Sequence, residues 1–216
     1  MRSLTASVAR SVFSALVTIA ALAGGAAQGI VAQAPTSRQQ ATAITLEEEI
    51  RRLSLAAERG DGNAQFALGA VYDTGKGVFQ DPVEAVKWFR KAAEQGLLEA
   101  QFSMGLAYAL GQGVAQGDTD AFEWFHKAGE RGLAKAQFMT GIAYFSGRGV
   151  EREALRGIDW FRKAADQGYA PAQYAVAMSF HPAGDAIDAA GSFLLLRKAA
   201  IQGLAPAQLA QRCHAR

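Results

Sequence analysis

The sequence predicts an all-α protein, a right-handed α-solenoid of about four helix-turn-helix repeats with a period of 36 residues. Three observations carry that expectation. Shifting the chain against itself by 36 residues aligns Ala64, Ala100, Ala136 and Ala172, each followed by Gln and then by Phe66, Phe102, Phe138 or Tyr174. The same shift aligns Tyr72, Tyr108, Tyr144 and Phe180, then Trp88, Trp124 and Trp160, then Gly60, Gly96, Gly132 and Gly168. Inside each unit, apolar residues recur at helical rather than strand spacing. With one residue deleted, Gly203 and Ala207 continue the series.

The first complete unit shows how each element is specified. Asn63 to Thr74 carries Ala64, Leu68, Val71 and Tyr72 on one helical face and forms helix A. The run Gly75 to Val78 ends it, because glycine takes the positive φ that closes a helix. Helix B then starts with Asp81 as N-cap, Pro82 at the first helical position and Glu84 placed to close a capping box. It buries Ala85, Trp88, Phe89, Ala92 and Ala93 and stops at Gly96. Gly69, Gly105 and Gly141 lie inside helix A, where each costs about 1 kcal/mol relative to alanine, so a close helix-helix approach is expected to offset them. Copy four carries Ala177 there instead.

The segments AQFALGAVYDTGKGVFQDPVEAVKWFRKAAEQG, AQFSMGLAYALGQGVAQGDTDAFEWFHKAGERG and AQFMTGIAYFSGRGVEREALRGIDWFRKAADQG resemble the Sel-one-like repeat family, a relative of the tetratricopeptide repeat. The likeness covers roughly residues 53 to 211, with Leu53 to Gly60 as the remnant of an incomplete first unit. Copy four departs from it. Phe180-His181-Pro182-Ala183-Gly184-Asp185 replaces the glycine turn, and Leu195-Leu196 stands for tryptophan and phenylalanine, as expected of a terminal repeat that caps a stack. The resemblance implies an adaptor that assembles or regulates an envelope complex or contacts a partner protein.

The ends of the chain differ from its middle. Arg2 and Arg10 are the only charges before Pro35, and no ionisable side chain occurs from Ser11 to Ala34. A positive start, an apolar run through Val12, Phe13, Leu16, Val17, Ile19 and Leu22, and small residues at Gly25-Ala26-Ala27 predict a secretory signal peptide over residues 1–34, with cleavage before Gln28. Ala32-Gln33-Ala34 is a second small-x-small site, and an uncleaved membrane anchor is the alternative. Residues 35–45 read as a flexible linker, 46–211 as the solenoid and 212–216 as a tail. The destination expected is periplasmic or secreted.

Removing residues 1–34 leaves 20 basic against 20 acidic side chains, so the pI of 8.8 describes the leader more than the mature protein. No basic stripe remains to neutralise a phosphate backbone, which argues against nucleic acid as a partner. Cys213 is the single cysteine, so neither an internal disulfide nor a thiolate metal cage is available.

No catalytic, cofactor-binding or metal-binding constellation is legible. His126, His181 and His214 share no ligand spacing, and no nucleophile elbow, P-loop or dinucleotide fingerprint occurs. Asp81, Glu84, Asp120 and Glu123 fall at helix starts, where capping and the helix dipole account for them. His126 aligns with Arg90 and Arg162 and reads as a solvated basic position. A small cell-envelope hydrolase is the rival reading, because some extracellular relatives resemble β-lactamases; that resemblance involves a cysteine pair in every repeat, and this chain has one cysteine.

Function is therefore expected at the positions that the stack leaves free to vary. On helix A they form one stripe per copy: Asn63, Ala67, Ala70 and Thr74; Glu99, Ser103, Leu106 and Leu110; Lys135, Met139, Ile142 and Ser146. In α-solenoids helix A lines the concave side, which would set these stripes side by side in a groove with Asp73, Ala109, Phe145 and His181 along its edge. Ala70, Asp73, Leu106, Leu110, Met139, Ile142, Phe145 and His181 are the candidate contacts for a protein or peptide. The alternative is that the apolar members pack between repeats as core.

Overall fold

A computed structural model of the protein describes residues 37–179 and 186–214, and every regular element within them is a helix. In chain order these are α1 Ser37–Glu58, α2 Gly62–Thr74, α3 Pro82–Glu94, α4 Leu98–Leu110, α5 Asp118–Glu130, α6 Ala134–Ser146, α7 Ala154–Asp166, α8 Ala170–Ser179, α9 Ala186–Ile201 and α10 Ala205–His214. The even-numbered helices are the A helices and the odd-numbered ones the B helices. Each packs mainly on its neighbours in sequence, which is the one-dimensional layout of an α-solenoid.

Helix B starts are pinned to the preceding helix A. The N–H of Asp81 donates to the Tyr72 carbonyl at 2.9 Å, and Gly117 and Glu153 repeat the bond to Tyr108 and Tyr144 at 3.0 and 2.9 Å. The Asp81 carboxylate accepts from the N–H groups of Val83 and Glu84, both at 3.0 Å, as a side-chain N-cap should. The expected capping box is not closed. The Asp81 N–H is already committed to Tyr72, so Glu84 instead accepts from Lys87 Nζ at 2.8 Å.

Helix B ends in a Schellman turn in every copy. At the first, the N–H of Gly96 bonds to the Ala93 carbonyl and that of Leu97 to Ala92, with Gly96 at φ 89°. The glycine run after helix A sets the next contact. A methyl on Gly113 would lie 2.1 Å from the Pro82 carbonyl oxygen, and one on Gly149 would lie 2.0 Å from that of Asp118. Each turn thus rests directly on the start of the previous helix B.

The glycines inside helix A mark the expected close approach. A Cβ on Gly69, Gly105 or Gly141 would fall 2.6, 2.5 or 2.5 Å from the ring of Phe89, Phe125 or Phe161. Those rings also meet the aromatic column of helix A, at centroid distances of 5.6 Å for Phe66–Phe89, 5.5 Å for Phe102–Phe125 and 5.4 Å for Phe138–Phe161. Such pairs contribute about 0.5–1.5 kcal/mol each beyond the area they bury. In the last repeat Leu196 replaces the phenylalanine and Ala177 the glycine, both buried in one cluster. The smaller partner leaves room for the methyl.

A ladder of glutamines ties the layers together. Gln65, Gln101, Gln137, Gln173 and Gln208 donate from Nε2 to the carbonyls of Ala57, Ala93, Gly129, Ala165 and Ala200, each eight residues back across the interhelical turn. A second set reaches in from the end of the next helix B. Gln95, Gln167 and Gln202 donate to the Oε1 of Gln65, Gln137 and Gln173 at 2.8, 2.7 and 3.2 Å. The side-chain amides of Gln65, Gln137 and Gln173 are thereby satisfied at both ends by the repeat itself.

Both ends correct the expected boundaries. The stretch read as a flexible linker over residues 35–45 is helical from Ser37 onward. After Pro35 it contains no breaker, and Arg38, Gln39, Gln40, Ala41 and Ala43 favour extending the helix that the Leu46–Leu53 pattern starts. The last helix likewise runs to His214, into the expected tail.

Candidate functional site

The varied face of helix A is continuous from copy to copy. Lys135 Nζ on α6 donates to Glu99 Oε2 on α4, the two residues being 36 apart, and it lies 4.5 Å from the centroid of the Phe102 ring. Equivalent stripe positions are therefore neighbours across the A helices. Row by row, Ala67 is followed by Ser103, Met139 and Ala175, and Ala70 by Leu106, Ile142 and Met178.

The candidate contacts divide between surface and core. Leu110 is 42% exposed and Leu106 half-buried. Ala70 packs against the cluster built on Phe89 and Met104. Met139, Ile142 and Phe145 are half-buried against the cluster of Phe138 and Phe161, with the Phe145 ring 6.3 Å from Phe161. Each side chain thus gives one side to the repeat core and the other to the face. His181 lies outside the described residues. Met178, 42% exposed, extends the row of Ala70, Leu106 and Ile142 and was not singled out from sequence, although the 36-residue shift points straight to it.

Asp73 is the unusual member. It is half-buried in the last turn of α2, and desolvation holds its carboxyl above the ordinary aspartate value of 3.8. Its backbone carbonyl accepts from Gln80 Nε2 at 2.8 Å, and no hydrogen bond or ion pair reaches its carboxylate among the described residues. Ala109 and Phe145 hold the matching positions in the next two copies.

Several other titratable groups have structural partners. Asp118 pairs with Arg148 at 2.8 Å, Glu84 with Lys87 and Asp159 with Arg162. His126 is less solvated than its alignment with two arginines suggests. Its ring sits 5.4 Å from Phe122 and 5.3 Å from Trp160, and Nδ1 lies 3.7 Å from Glu130. The fully aligned Arg90 instead donates to the Tyr108 hydroxyl at 2.9 Å. Among the described residues no three His, Cys, Asp or Glu side chains gather as a metal site would require.

Comparison with known proteins places this architecture. The family model described as Sel1 repeat matches residues 62–97, 98–133, 134–169 and 170–204, one match per helix pair. Among solved structures, a protective antigen of uropathogenic Escherichia coli strains that displays an SLR fold is 39% identical, with a TM-score of 0.70 over 75% of this chain and 35% of that one. A Sel1 repeat protein from Oxalobacter formigenes is 31% identical, with a TM-score of 0.68 over 75% of this chain and 65% of that one. The chain thus spans about a third and about two-thirds of their lengths. A Pseudomonas aeruginosa protein at 22% identity and a TM-score of 0.50 shares the fold, covering 77% of this chain and 65% of its own. No curated protein matches the chain. With a repeat match on each of four successive helix pairs, the chain belongs to the Sel1 repeat family.

Proposed function

We propose that the protein is an exported interaction module that binds a protein or peptide across the varied face of its A helices. Sel1 repeat proteins mediate protein-protein interactions, and this chain carries four such repeats. The observation that carries the finer reading is the row Leu106, Ile142 and Met178 with Leu110 beside it. These are half-buried or exposed apolar side chains at positions where the stack also accepts Ala70 and Thr74. Apolar surface that packing does not require is a binding surface by default. No reaction and no cofactor form part of this reading.

Export rests on the N-terminal pattern of Arg2, Arg10 and the uncharged run to Ala34. No helix among the described residues is long and apolar enough to cross a membrane. In this reading the protein acts in the periplasm or outside the cell, held to a membrane only if the leader is retained. Mass spectrometry of the protein recovered from its host tests that half: a mature N-terminus at Gln28 is expected, and an intact leader overturns it.

The binding half is tested by capturing partners with the tagged protein and with a Leu106→Ser, Leu110→Ser, Met178→Gln variant whose helicity circular dichroism shows to be intact. A partner held by the parent and lost by the variant is expected. A partner held equally by both places binding on another surface.

A further inference from the structure

The face just described holds a group that the fold does not need and that stability disfavours. Asp73 lies in the last turn of α2, where the negative end of the helix dipole opposes a carboxylate. It is half-buried, and its carboxylate has no hydrogen-bond or ion-pair partner among the described residues. The other acid of the face, Glu99, is answered by Lys135. Ala109 and Phe145 at the matching positions show that the stack does not require an acid there. From Asp73 toward the later repeats, the adjoining row through Leu106, Ile142 and Met178 is uncharged.

An unanswered anion at one end of an apolar strip defines the complement. We propose that this face receives a segment of a partner protein whose apolar side chains lie along Leu106, Ile142 and Met178 and whose one lysine or arginine pairs with Asp73. The inference rests on the helix A face being the binding surface. Burial weakens water's screening at Asp73, so a cation brought there by a partner interacts more strongly than at an open surface. Discrimination follows from the same arithmetic, because an acidic residue at that point of the ligand meets a like charge in a desolvated position.

The experiment is selection of a phage-displayed random dodecapeptide library on the purified protein, on an Asp73→Lys variant and on a Leu106→Ser, Ile142→Thr variant, each checked by circular dichroism. The expected winners on the parent are apolar peptides with one Lys or Arg. Their synthetic versions are expected to bind Asp73→Lys at least about tenfold more weakly, and to regain affinity for it when their cation is exchanged for Glu. Should Asp73→Lys fail to fold, Asp73→Asn, which only removes an unfavourable charge, is expected to show about a tenfold loss. Winners that lack a cation, or that bind Asp73→Asn as well as the parent, overturn this inference and leave the binding face standing. If no peptide is enriched, or if winners ignore the Leu106→Ser, Ile142→Thr change, the binding face itself is refuted, and this inference with it.

Discussion

Arg131 leaves the Oε1 of Gln101 buried without a donor among the described residues. It stands where Gln95, Gln167 and Gln202 stand in the other copies, and its guanidinium turns instead to the Gly96 carbonyl. Gln95 and Gln202 make both bonds at once, to the glycine carbonyl and to the neighbouring glutamine. Arg131→Gln is therefore expected to complete the ladder between the second and third repeats. A buried unsatisfied acceptor costs about 1–3 kcal/mol, so a gain of about 1 kcal/mol in urea denaturation is the expected outcome. No gain would mean that the arginine's own contacts outweigh the empty acceptor.

The pairing of Gly105 with Phe125 gives a prediction that the protein has already tried elsewhere. Gly105→Ala sets a methyl 2.5 Å from the Phe125 ring and is expected to cost about 1–3 kcal/mol through overpacking. Phe125→Leu leaves a cavity and costs energy by itself. Together they recreate the Ala177 and Leu196 pair, and the double variant should lose less than the sum of the two. Strict additivity in a denaturation cycle would count against this account.

Two glycines with positive φ should respond very differently to alanine. Gly132, at φ 94°, has open space around its missing Cβ, so Gly132→Ala meets only backbone strain of about 1–2 kcal/mol. Gly149, at φ 72°, would drive the methyl to 2.0 Å from the Asp118 carbonyl oxygen, and backbone cannot step aside as a side chain can. Thermal melting should show Gly149→Ala to be clearly the more damaging of the two.

Asp73 makes stability depend on pH with a definite sign. Its pKa is raised in the folded state, so the folded chain binds the proton more tightly than the unfolded one. The penalty of the ionised form is present at neutral pH. It fades as pH falls through the raised value and is gone below the unfolded value near 3.8. Asp73→Asn should therefore stabilise the protein at pH 7 and lose that advantage under acid. Denaturation curves at both pH values measure the difference, and an advantage that grows under acid would refute the assignment.

What the sequence revealed and what it hid follow from the kind of constraint involved. Gly75, Gly96 and Gly105 were legible because positive φ and ring-to-backbone contact accept almost no substitute, so the requirement is written in residue type. Asp81-Pro82 was legible for the same reason. The glutamine column stood out as a repeat, but its role did not, because a bond to a carbonyl eight residues back exists only once the Schellman turn has placed that carbonyl. Glu84 was misread because a capping box is judged locally, whereas the Asp81 N–H it needs already donates to the Tyr72 carbonyl across the turn. The binding face was half legible. Period alone aligned Ala70, Leu106 and Ile142, but whether Met139 or Phe145 faces solvent depends on Phe161 from the next helix.

The ladder has a last consequence, for how such a chain can change its length. Its rungs join residues at fixed separations, 30 for Gln65 to Gln95 and again for Gln137 to Gln167. A duplicated or excised stretch of one full period hands every amide an identical partner, whereas a change inside the eight residues between a glutamine and its carbonyl parts the two ends of that rung. The one shortened copy keeps its loss out of those short spans. Gln173 and Gln202 are 29 apart, yet Gln173 and Gln208 each still reach back eight residues. The lost residue must lie between Gln173 and Ala200, inside a single rung spacing, where the ladder itself goes unbroken.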